Sequence, residues 1–145
     1  MSAEPSRDRI LSAALDVLLP GDGHFPAASA VALATRLLSY PALAEPAIAA
    51  AARLDDTFAD AEPAVRLASV VRLEETEPAL FGRFVVAVYS GYYSTPAVLE
   101  AVARATGYAA RPPQPEGYAL PPFDARMLAI PASRPPSYRP TPDRS

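Results

Sequence analysis

Apolar positions recur at helical spacing through the first hundred residues of this chain. Ile10, Leu11, Ala14, Leu15, Leu18 and Leu19 make one stripe. It predicts a first helix with Ser6 as N-cap and Asp8 in the first turn, stopped by Pro20-Gly21-Asp22-Gly23. Ser29 or Pro26 can open a second helix through Val31, Leu33, Leu37 and Leu38, ending near Ser39-Tyr40-Pro41. A third helical stretch covers 42–61. Proline suits a first turn and is costly inside a helix, so its main helix is expected to start near Pro46. The run Ala47 to Ala52 suits close helix packing.

A fourth helix is expected from Glu62-Pro63 to Glu75, with Val65, Leu67, Val70, Val71 and Leu73 as its apolar positions. Thr76 can cap a fifth, in which Leu80, Phe81, Phe84, Val85, Val88 and Tyr92 form the strongest stripe, marking it as the central element. Ser94 or Thr95 caps a sixth, with Pro96 early, Val98, Leu99, Val102 and Ala103 inward, and Gly107 closing it. No segment alternates with period two long enough to read as a strand, and no repeat recurs at a solenoid period.

After Gly107 the pattern changes. This final stretch holds 10 of the 18 prolines, which excludes helix interior and central strand for most of it. Yet Tyr108, Leu120, Phe123, Met127, Leu128, Ile130 and Tyr138 are spaced along it like anchors, unlike a solvated linker. A pre-extended backbone with apolar anchors suits a groove, on its own helices or on a partner. The expected fold is all-α: a compact bundle of about five to six helices over residues 1–106, then an extended proline-rich arm over 107–145.

Composition narrows the chemistry. At 145 residues there is room for one domain with a real core, and Ala supplies much of the 50% hydrophobic content, so the helices are expected to pack closely. Cysteine is absent, which removes disulfides, thiolate metal sites and cysteine nucleophiles. All 13 cationic side chains are Arg, so Schiff-base chemistry and a P-loop lysine are also absent. A net charge of −3 without a basic run argues against nucleic acid or an anionic membrane as partner. No segment approaches the roughly 20 apolar residues of a membrane span. The first residues show neither a twin-arginine pair nor an apolar signal core, so the expected location is cytoplasmic.

No catalytic, cofactor or metal site emerges. The single histidine, His24, lies near Asp22 in a Gly-rich turn; one His and one carboxylate fall short of a zinc site or facial triad, and the residues suit a structural loop. Asp55, Asp56, Asp60 and Glu62, and separately Glu74, Glu75 and Glu77, read as solvated charge that Arg53, Arg66 and Arg72 could pair with. The chain has no G-x-S-x-G and no G-x-G-x-x-G. Tyr89, Tyr92 and Tyr93 share a helix face at i, i+3 and i+4, and Gly91 between them allows close approach. Such tyrosines suit an interface, or packing inside the bundle. The candidate partner contacts are Tyr89, Tyr92, Tyr93, Tyr108, Arg111, Tyr118, Phe123 and Tyr138.

Two blocks carry a family resemblance. Ala14-Leu15-Asp16-Val17-Leu18-Leu19-Pro20-Gly21-Asp22-Gly23 followed by Phe25-Pro26-Ala27-Ala28 resembles the opening of gluconate 2-dehydrogenase subunit 3 proteins. Phe84 to Pro96, then Gly107-Tyr108, resembles that family's second block. The resemblance implies a non-catalytic small subunit beside a large flavoprotein of the glucose-methanol-choline class, with FAD, substrate pocket and proton-transfer residues on the partner and no cofactor on this chain. Family members often carry a twin-arginine signal, which this sequence lacks; a periplasmic site would then require an export signal on another subunit. Two rivals remain: an adaptor whose proline-rich arm (Arg111-Pro112-Pro113-Gln114-Pro115) is read by small recognition domains, and a stand-alone helical enzyme around His24.

Overall fold

A computed structural model describes residues 4–109 and 122–135. Every regular element among them is helical. The order is α1 (Glu4–Leu18), a 3-10 turn (Ser29–Val31), α2 (Leu33–Leu38), α3 (Pro41–Ala51) and a second 3-10 turn (Phe58–Asp60). Then come α4 (Pro63–Thr76), α5 (Pro78–Tyr92) and α6 (Pro96–Thr106). A last 3-10 turn (Ala125–Leu128) runs into the short α7 (Ala129–Ala132). The chain divides into two units, Met1–Arg111 and Pro112–Ser145. Among the described residues no helix is long and apolar enough to cross a membrane.

The first unit is an all-α bundle with α5 at its centre. Helix α5 packs on α2, α3 and α4, most extensively on α3. Its inward residues Leu80, Phe84, Val88 and Tyr92 join Ile10, Leu11 and Leu15 of α1, Leu33 and Leu37 of α2, and Val98 of α6 in one core. Four helices, α3, α4, α5 and α6, open on proline, where the missing N–H would be unpaired in any case. Gly107 closes α6, its N–H bonded to Ala103 O at 2.8 Å.

Local expectations are corrected at the first three helices. Helix α1 begins at Glu4, ahead of Ser6. The second helix is broken: Ala32 takes φ 50°, ψ 41°, and separates the 3-10 turn from α2. Neither glycine nor proline marks that break. The Ala28 carbonyl accepts from both Val31 N–H and Leu33 N–H, which turns the chain so that Leu33 and Leu37 enter the core. The third helix starts at Pro41 and keeps Pro46 inside it. Tyr40 is extended, as a residue before proline prefers, and Pro41 occupies the first turn. Burial of Pro46 with Ala44, Ala47, Ala50 and Ala51 offsets the bond its nitrogen cannot donate.

On α4 the inward face is narrower than its apolar content suggested. Val70 and Leu73 are buried, flanked by half-buried Arg66, Ser69 and Glu77, while Val65, Leu67 and Val71 are exposed. Positions 66, 70, 73 and 77 keep helical register, and that register turns the other three apolar residues outward.

The second unit is not uniformly extended. Asp124 Oδ1 accepts the Arg126 N–H at 3.0 Å and its carboxylate pairs with the Arg126 guanidinium at 2.8 Å, which starts the turn at Ala125. Pro131 fits α7 because a four-residue helix has almost no interior N–H to lose.

Candidate functional site

Helix α5 is apolar on two sides, and the bundle covers one. Leu80, Phe84, Val88 and Tyr92 face the core. On the opposite side, at spacings of three and four, lie Ala79, Gly82, Val86, Tyr89 and, just past the helix end, Tyr93. Val86 is 67% exposed, Tyr89 48% and Tyr93 49%. Tyr89 and Tyr93 lie together with ring centroids 6.0 Å apart. Beside Gly82 and Val86 runs a groove of about 540 Å³, walled by Ala42, Leu43 and Pro46 of α3. Its rim carries an ion pair, Arg83 to Glu45 at 2.8 Å.

The end of α5 is held by polar bonds to distant segments. The Gly91 carbonyl accepts from Arg36 Nε at 3.2 Å and from the hydroxyls of Ser94 and Thr95 at 3.0 Å each. A terminal nitrogen of Arg36 reaches Ser94 O at 3.1 Å, and its guanidinium lies 5.7 Å from the Tyr40 ring centroid. Gly91 allows close packing of α2: a Cβ there would lie 2.6 Å from Leu37 Cδ2. These bonds fix the positions from which Tyr89 and Tyr93 project.

Of the sequence candidates, Tyr89 and Tyr93 are surface residues. Tyr92 is not: at 2% exposure its ring belongs to the core and meets Tyr93 edge-on at 5.3 Å. Its hydroxyl donates to Pro26 O at 2.6 Å, and burial, with the neighbouring Tyr93 and Asp22, raises its pKa above the ordinary tyrosine value. Tyr108 is 63% exposed, with its N–H bonded to Thr106 Oγ1. Phe123, in the second unit, is 70% exposed and shares that unit with exposed Met127, Leu128 and Ile130. Arg111, Tyr118 and Tyr138 lie outside the described residues. Sequence periodicity passed over Val86, because the strength of the inward stripe on the same helix masked it.

The loop around His24 is built as a turn. Asp22 Oδ1 accepts the N–H groups of Phe25 and His24 at 2.8 and 2.9 Å, and these bonds lower its pKa. Gly21, at φ 78°, leaves no room for a side chain: a Cβ would lie 2.8 Å from Ala27 N. Among the described residues no group of three His, Cys, Asp or Glu side chains could hold a metal ion. The acidic patches are partly paired at the surface, Asp60 with Arg9 and Glu77 with Arg53.

No family model, curated protein or solved structure matches the chain.

Proposed function

We propose that this chain is the non-catalytic small subunit of a flavin-dependent alcohol or sugar oxidoreductase, binding a large FAD-bearing subunit of the glucose-methanol-choline class. The observation that carries the partner-binding reading is the outward face of α5. A helix apolar on both sides belongs between two partners, and here the bundle supplies one. Val86, Tyr89 and Tyr93 offer large contact area with polar tips, a composition suited to the centre of an interface. The second unit adds Phe123, Met127 and Ile130 as exposed anchors.

The flavoprotein identity of the partner rests on the family resemblance. The two blocks that carry it pack together in space: the Tyr92 hydroxyl of one bonds the Pro26 carbonyl of the other. A shared substructure of this kind is what a compact family signature would contain. Chemistry, FAD and substrate then belong to the partner, and the complex is assigned to the cytoplasm.

Purification of the chain from its native host tests both parts. The expected result is a stoichiometric large partner with a flavin absorbance spectrum, in the cytoplasmic fraction. Recovery with small proline-recognition domains would favour the adaptor reading instead. Turnover by the purified chain alone, lost in His24→Ala, would favour a stand-alone enzyme.

A further inference from the structure

Arg66 lies half-buried between α4 and α1, an uncommon place for a guanidinium that forms no ion pair. Its Nε is buried and has no hydrogen-bond partner. No ion pair joins it to an acidic side chain among the described residues. It borders a cleft of about 500 Å³ whose other walls are Val17 of α1, Pro20, Ala27, and Pro63 and Leu67 of α4. Asp16 and Ser29 are its polar walls, and Asp16 Oδ1 accepts the Ser29 N–H at 2.9 Å. Most of that lining is apolar, and the Arg66 guanidinium is its cation, a composition that suits a small-molecule site.

We propose that this cleft binds a small monocarboxylate with an apolar body. The carboxylate draws the Arg66 guanidinium toward the cleft and accepts from Nε and a terminal nitrogen as a two-pronged fork. This relieves the unsatisfied donor, and the apolar body lies along Val17, Pro20 and Leu67. Asp16 sets the charge limit. Its carboxylate disfavours doubly charged anions such as phosphate monoesters, so a single negative charge is preferred. The site is separate from the outward face of α5 and does not depend on the partner reading.

The test is a titration of the full-length chain with sodium hexanoate, followed by the NMR signals of the Arg66 Nε–H and the Val17 and Leu67 methyl groups. Saturable shifts at both ends of the cleft are expected, with none from hexan-1-ol. Arg66→Gln keeps the stem of the side chain and should weaken binding by roughly tenfold or more. Asp16→Asn retains an oxygen for the Ser29 N–H and should tighten binding, a change that a purely structural Arg66 would not produce. Shifts that grow without saturating, an equal response to hexan-1-ol, or unchanged affinity in Arg66→Gln would each overturn the proposal.

Discussion

The hydroxyl of Tyr92 donates to the carbonyl of Pro26 at 2.6 Å, tying the end of α5 to the loop that follows α1. The two residues are 66 positions apart, so the bond closes a long stretch of chain around the core. Tyr92→Phe keeps the ring and strands the carbonyl. The expected cost is about 1–2 kcal/mol in urea unfolding. A variant as stable as the parent would mean that water replaces the hydroxyl without loss.

Gly91 lies next to that anchor and sets how closely α2 approaches α5. Alanine would ordinarily favour a helix by about 1 kcal/mol over glycine. Here its methyl would meet Leu37 Cδ2 at 2.6 Å and Leu33 Cδ1 at 3.1 Å, and both leucines are fully buried. Overpacking of about 1–3 kcal/mol should win, so Gly91→Ala is expected to lower the melting temperature. A raised melting temperature would show that the leucines shift freely.

Ala32 holds a left-handed backbone conformation with an exposed side chain. For a residue with a Cβ that conformation costs about 1–2 kcal/mol, part of which glycine recovers despite its greater unfolded-state entropy. Ala32→Gly should therefore stabilise the chain by up to about 1 kcal/mol, measured by urea unfolding. Ala32→Pro, which cannot reach φ 50°, should be strongly destabilising.

Strong periodicity made much of the bundle readable in advance. The inward stripe of α5, the proline starts of α4 and α6 and the Gly107 stop follow from local chemistry that tertiary contacts do not oppose. The break at Ala32 was not legible, because it has no glycine or proline and is set by where Leu33 and Leu37 must pack. Pro46 misled for the opposite reason: its breaker tendency is real, but burial in an alanine-rich helix outweighs it. At the candidate site, Tyr89, Tyr92 and Tyr93 read alike because they share one arc of the helix. Tyr92 also continues the inward stripe of Leu80, Phe84 and Val88, and that spacing separates it from the exposed Tyr89 and Tyr93.

Asp22 and Asp55 give the fold an acid limit. Backbone N–H bonds from Phe25 and His24 lower the Asp22 pKa, and the Thr57 hydroxyl and N–H lower that of Asp55. A carboxylate depressed in the folded state contributes stability above its unfolded pKa, and that contribution fades as pH falls through the folded value. The melting temperature should be flat near neutrality and decline below the ordinary aspartate value of 3.8. Asp22→Asn keeps an acceptor for the turn without the titration, so its decline should be shallower. An equal slope in parent and variant would place the acid sensitivity elsewhere.

On the proposed partner-binding reading, Val86 separates folding from assembly. It is 67% exposed on the outward side of α5, beside the groove against α3, and belongs to no inward contact layer of the bundle. Val86→Asp should change the stability of the isolated chain by no more than about 0.5 kcal/mol. At the centre of an apolar interface, however, an unpaired carboxylate would be desolvated at a cost of several kcal/mol. Pull-down of the partner should then fall by orders of magnitude while the melting temperature holds. Tyr89→Ala should weaken capture less, since it removes contact area without adding buried charge. A Val86→Asp chain that still captured its partner at full strength would move the docking surface off α5, and the second unit, with Phe123, Met127 and Ile130, would become the next segment to vary.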